Sequence, residues 1–130
     1  MVTIYISYIR SILEQSCTVW HSNLTVENCE DLERVQKSAL RIILKEEYQT
    51  YEQALETLML AKLSERREKM CLKFAKSCLK NDLTRDLFPL NPTEGLGTRN
   101  KEKYRVVHAN IGRLKDFAVP YLQRLLNANQ

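Results

Sequence analysis

Apolar side chains recur along most of this chain at helical rather than alternating spacing. The segment DLERVQKSALRIIL, residues 31 to 44, is the strongest case. At about 100° per residue, Leu32, Val35, Ala39, Leu40, Ile42, Ile43 and Leu44 share one arc roughly 200° wide. Glu30, Asp31, Arg34, Lys37, Ser38, Arg41 and Lys45 fill the rest. A helix on the edge of a small domain shows an arc of about 100°. This one is either clamped from two sides or has lost a covering partner. Upstream, Ile4 and Tyr5, Tyr8 and Ile9, and Ile12 and Leu13 pair at helical spacing, predicting an amphipathic helix. Its pattern runs to Met1 without a polar lead-in, as if cut from a longer helix.

The second helix has a clear start. Thr25 can cap its first amides, Leu24 and Cys29 can form a hydrophobic staple, and Glu27, Glu30 and Asp31 complement the dipole. It is expected to run to about Glu46. Thr50 and Gln53 make a capping box for a short helix through Leu58. A fourth helix is expected from Leu63 to Leu79, after a break near Ala61 that no glycine or proline enforces. Periodicity stops between Asn81 and Asn100, where LFPLNPTEGLGTRN carries two of the three prolines and two of the three glycines, the marks of a loop. Residues 104 to 115 fit a strand or a poor helix, with Val106 and Val107 favouring extension. Pro120 suits the first position of a last helix bearing Tyr121, Leu122, Leu125 and Leu126. The expected organisation is a helical bundle over 1–80, a linker over 81–103, and an extension with a terminal helix over 104–130.

Composition agrees. The 130 residues hold three glycines and three prolines, few turns for a sheet, so an all-α bundle of about four helices is expected. Arg10 interrupts the first apolar stretch, so neither a secretion signal nor a membrane span is expected, and the protein should be intracellular, nuclear or cytoplasmic. Cys17, Cys29, Cys71 and Cys78 then read as reduced thiols. The net charge of +4 is unevenly spread. Residues 1 to 60 carry five basic and nine acidic side chains, residues 61 to 80 seven and two, and residues 81 to 130 eight and five. A basic half that begins abruptly at Lys62 favours a polyanionic partner.

The sharpest chemical signal lies in the fourth helix. Arg66, Lys69, Lys73, Lys76 and Lys80 follow spacings of three, four, three and four, within roughly 80° of one another on an ideal helix and over roughly 21 Å of its length. Met70, Cys71, Phe74, Ala75 and Cys78 take the opposite side. Such a row can follow a phosphate backbone, although a solvated lysine face has the same pattern. A second basic cluster, Arg99, Lys101, Lys103 and Arg105, interleaves Tyr104, and an aromatic beside cations is a common way to hold single strands. It could equally be a soluble linker. Cys17, His21 and Cys29 fit no common zinc spacing, and no catalytic motif, nucleophile elbow or phosphate-cradling glycine loop occurs. No metal or cofactor is expected, and no enzyme active site.

The order of these pieces resembles a known family. YISYIRSILEQSCTVWHSNLT, LERVQKSALRIIL, YEQALETLMLAKLSERREKMCLKFAKSCLKN with LFP, and RNKEKYRVVHANIGRLKDFAVPYLQRLLN together look like the region after the reverse transcriptase domain of jockey-like non-LTR retrotransposons. Tyr8, Arg10, Ser11, Leu13, Glu14, Trp20, Leu32, Gln36, Arg41, Ile42, Arg66 and Arg67 fall at the positions that family leads one to expect. PYLQRLLN looks like the end of its reading frame. The resemblance implies a noncatalytic accessory region, with the palm and its metal-binding aspartates upstream, since no F-x-D-D motif is present. Its first helices would resemble a thumb that closes on template and primer. The partners implied are an RNA or DNA duplex or hybrid and the parent's palm and fingers, with no membrane. The wide arc of residues 31 to 44 would then be the centre of the thumb bundle. The rival readings are a helical protein-interaction scaffold and a transposon-derived reading frame without selected function.

Overall fold

The structure is a computed structural model that describes residues 1–92, 103–108 and 110–129. Among these residues it is all-α, with one isolated antiparallel bridge between Leu90 and Tyr104. None of the described helices is long and apolar enough to cross a membrane.

The first apolar segment does not form the regular helix its spacing suggests. α1 (Val2–Ile4) widens into a π-helical stretch, Tyr5–Arg10, before α2 (Ser11–Glu14). The Ser11 hydroxyl donates to the Ser7 carbonyl at 2.6 Å, competing for the acceptor that a regular helix reserves for the Ser11 amide. Ser16, at φ 52°, turns the chain into α3 (Cys17–Trp20) and a 3-10 turn, His21–Asn23.

α4 (Val26–Leu44) starts as its sequence dictates, with Thr25 Oγ1 accepting from the Asn28 amide at 3.2 Å. It ends two residues before Glu46, because Lys45 takes a positive φ of 49° and opens a 3-10 turn, Lys45–Glu47. In α5 (Tyr51–Thr57), Thr50 Oγ1 accepts from the Gln53 amide. Met59, at φ 51°, makes the break that no glycine announces. α6 spans Leu63–Lys80.

Residues 82–92 depart from the linker expectation. Asn81 Oδ1 caps α7 (Asp82–Arg85) by accepting from the Leu83 amide, and Phe88 is buried. Residues 103–105 run extended, with the Asn91 amide donating to the Lys103 carbonyl and the Arg105 amide to the Pro89 carbonyl. α8 (Gly112–Lys115) and α9 (Ala118–Ala128) follow. Pro120 is therefore the third residue of α9, not the first. Its missing N–H costs nothing there, since the first intrahelical bond is Tyr121 to Phe117.

The chain divides into two compact units: Met1–Cys17 with Leu24–Glu68, and Thr18–Asn23 with Lys69–Gln130. This division falls inside α6, not at the expected boundaries near 80 and 104. In the first unit Leu40, Tyr51, Ala54 and Leu55 form an apolar cluster, joined by Ile43, Leu44, Tyr48, Leu58 and Leu60. The wide arc of α4 is only partly covered, with Ile42 64% and Val35 43% exposed. What sits fully buried beside Leu40 is the polar Gln36. In the second unit Cys71, Ala75, Cys78, Phe88, Leu122, Leu125 and Leu126 make the core.

Candidate nucleic-acid interface

The basic face of α6 follows from what the helix buries. Cys71, Ala75 and Cys78 are packed into the core of the second unit, which turns Lys69, Lys73, Lys76 and Lys80 outward. Phe74, expected on the buried side, is 46% exposed at its margin. The four lysines line one open groove with Leu72 and Ser77. Among the described residues, none of the four takes part in an ion pair. Four aliphatic stems that end in uncompensated ammonium groups give a face of positive potential whose natural counterpart is a row of anions.

Arg66, the fifth member of the sequence row, is placed differently. Its Nε donates to Glu14 Oε1, and its Nη2 donates to Glu14 Oε2 at 3.1 Å. The hydrogen bonds it donates to Glu14 push the guanidinium pKa above its ordinary value. With its charge committed to a carboxylate, Arg66 anchors the α2 end to α6 within the first unit. Nothing in the spacing of α6 announces this, because the partners are 52 residues apart. Arg67 is 0% exposed, a second basic side chain of α6 taken into the structure.

Of the second basic cluster, Arg99 and Lys101 lie outside the described residues. Lys103 and Arg105 are exposed on the extended segment. Lys103 joins Lys76 around a neighbouring groove completed by Leu79, Tyr104, Leu126 and Asn129. Its ammonium lies 5.9 Å from the centroid of the Tyr104 ring. Asn127 grips the Tyr104 backbone from both sides, Oδ1 accepting from its amide and Nδ2 donating to its carbonyl, each at 2.9 Å. The pattern along the chain gives no sign that Leu79, Leu126 and Asn129 belong to this group, since only folding brings α9 beside α6.

The first unit holds the other concentrated chemistry. The Tyr5 hydroxyl donates to Gln36 Oε1 at 2.6 Å, and Gln36 Nε2 donates to the Tyr51 hydroxyl at 2.9 Å and to the Ala61 carbonyl at 3.1 Å. Tyr51 in turn donates to Glu33 Oε2, while Glu33 Oε1 accepts from the Ser64 amide at 2.8 Å. Glu33 thus supplies from α4 the cap that α6 lacks locally. Burial pushes the Tyr5 phenol up to about 12, and burial together with the hydrogen bond to Glu33 raises Tyr51 as well. These groups satisfy one another, which is the signature of architecture. Cys17, Cys71 and Cys78 are buried thiols, and Cys29 is half-buried. Among the described residues no three His, Cys, Asp or Glu side chains are grouped to hold a metal ion. His21 instead packs edge-on against Tyr121, with ring centroids 5.7 Å apart.

Comparison with known proteins finds no matching family model, no matching curated protein and no matching solved structure.

Proposed function

We propose that this chain is a noncatalytic nucleic-acid-binding module whose contact face is the lysine row of α6, as an accessory region of a non-LTR retrotransposon reverse transcriptase would be. The observation that carries this reading is the outward row Lys69, Lys73, Lys76 and Lys80 along a single groove. Lys103 extends the cationic surface from Lys76 toward the C-terminal helix. Contacts of this kind read the phosphate backbone and not the sequence, so an RNA or DNA duplex or hybrid is the expected partner. The polymerase palm and fingers of a parent protein would supply the catalysis.

A protein-interaction scaffold is the second reading, and a specific feature favours it. Ile4, Tyr8, Ile9 and Ile12 are exposed on the first helical segments, Tyr8 and Ile12 by 71% and 70%.

Fluorescence anisotropy with a labelled duplex separates the two. Replacing Lys69, Lys73 and Lys76 by Gln keeps helix propensity and removes the charge. The proposed function expects that triple variant to bind at least about tenfold more weakly, with unchanged helix content. Lys37, Arg41 and Lys45, exposed cations of the first unit, are the matched control and should cost much less. Equal loss in both variants would reduce the interaction to diffuse charge and abandon α6 as a site.

A further inference from the structure

We propose that the groove between α6 and α9 takes one unpaired nucleobase, so that the chain binds a duplex ending in a single-stranded segment more tightly than a blunt one. This rests on the reading of α6 as a phosphate-contacting face and specifies what that face holds at one end.

The groove is open to solvent and has a volume of about 310 Å³, at the lower end of the range for small-ligand sites, about 300 to 1,000 Å³. Its lining is chemically divided. Tyr104, Leu79 and Leu126 offer an aromatic ring and aliphatic surface, while Lys76 and Lys103 offer cations. A nucleotide carries the matching division, a flat aromatic face joined to an anion. An isolated phosphate would leave the ring and the two leucines unused, and an apolar peptide side chain would leave both ammonium groups uncompensated.

The ring is also held ready. Asn127 fixes the Tyr104 backbone through two hydrogen bonds, which positions the side chain without using its hydroxyl. The Lys103 ammonium over the ring marks its cation-accepting face. With a base stacked there, that ammonium would move to the adjoining phosphate. Lys76 lines both this groove and the lysine groove of α6. A backbone tracked along Lys80, Lys76, Lys73 and Lys69 therefore passes the mouth of the base-sized groove, where a strand end can turn in.

The test uses the full chain and three probes: a short blunt duplex, the same duplex with a single-stranded adenosine overhang, and that duplex with an abasic overhang. Overhangs are made in ribo and deoxyribo form. The adenosine overhang should tighten binding by about five- to a hundredfold, the range that stacking on one aromatic side chain produces. The gain should vanish with the abasic overhang and in Tyr104→Leu and persist in Tyr104→Phe, with blunt-duplex affinity unchanged in both variants. A gain from the ribo overhang alone assigns the groove to RNA, and a gain from both assigns it to the base whatever the sugar. Equal affinity for blunt and overhang probes, or a gain that survives removal of the bases, overturns the groove and leaves the α6 reading standing. A wild-type chain that binds none of the probes overturns both. The abasic comparison needs no variant, so a Tyr104→Leu protein that fails to fold does not protect the proposal.

Discussion

Both units have an apolar cluster, but among the described residues only the first threads a buried polar chain between its helices. In the first, a chain of polar groups runs from Tyr5 through Gln36 and Tyr51 to Glu33 and the Ser64 amide, so helical segments distant in sequence are tied by directional bonds. In the second, small thiols, Ala75 and the large side chains of Phe88, Leu122, Leu125 and Leu126 fill the space by shape. The second unit has a buried glutamine too, but its task differs. Gln123 donates to the Leu87 carbonyl at 2.7 Å and accepts from the Val107 amide at 3.1 Å, pinning irregular backbone to α9. A polar interior specifies which helix sits where, because each bond is lost if a partner slips. An apolar interior supplies stabilisation that depends on volume more than on register.

The largest expected effect breaks the apolar side. Phe88→Ala should destabilise the second unit by about 3 to 5 kcal/mol, read by urea unfolding. Segment-resolved hydrogen exchange should show protection falling first in α7, α9 and residues 69–80. Equal loss across α4 and α5 would mean that the two interiors unfold as one cooperative body.

On the polar side, Gln36→Leu keeps the volume but strands the Tyr5 hydroxyl and the Ala61 carbonyl and leaves the Tyr51 hydroxyl bonded only to Glu33. A loss of about 2 to 3 kcal/mol is expected. A neutral or stabilising result would show that the network contributes register alone.

Alkaline pH should find the same weakness. Tyr5 is held neutral when folded and titrates at about 12, whereas an unfolded tyrosine titrates at 10.0. Its contribution is fully present below pH 10 and fades as pH rises from there to about 12. The raised Tyr51 adds in the same direction. Denaturant midpoints followed across that window should fall in the wild type and fall less in Tyr5→Phe. Parallel curves would place the alkaline loss elsewhere.

The smallest effect is local. Thr25→Ala removes the oxygen that caps α4 and should cost about 1 kcal/mol, with fraying confined to the first turn by hydrogen exchange.

Local signals are legible in the sequence of residues itself. Thr25 and Thr50 announce their helices, because a cap is made within four residues. The lysine row of α6 is legible as a helical face for the same reason: its periodicity is intrinsic to one element. Tertiary polar chemistry is not. A helical wheel puts Gln36 inside the apolar arc, between Ile43 and Leu40, but cannot say what would satisfy its amide there, since its partners lie 31, 15 and 25 residues away. By spacing alone Arg66 is indistinguishable from the lysines, because only folding brings Glu14 beside it. The breaks at Ser16, Lys45 and Met59 use positive φ on residues that do not advertise it. Residues 82–92 read as linker because short capped turns and one buried Phe leave no periodicity.

If the α6 lysines contact phosphates, the salt dependence of duplex binding must run through them. Each phosphate contact contributes about 0.9 to the slope of log K against log salt. The Lys69, Lys73 and Lys76 to Gln variant should therefore give a slope shallower than wild type by roughly two to three units, while the Lys37, Arg41 and Lys45 control keeps the wild-type slope. Identical slopes in the wild type and the α6 variant would contradict the account.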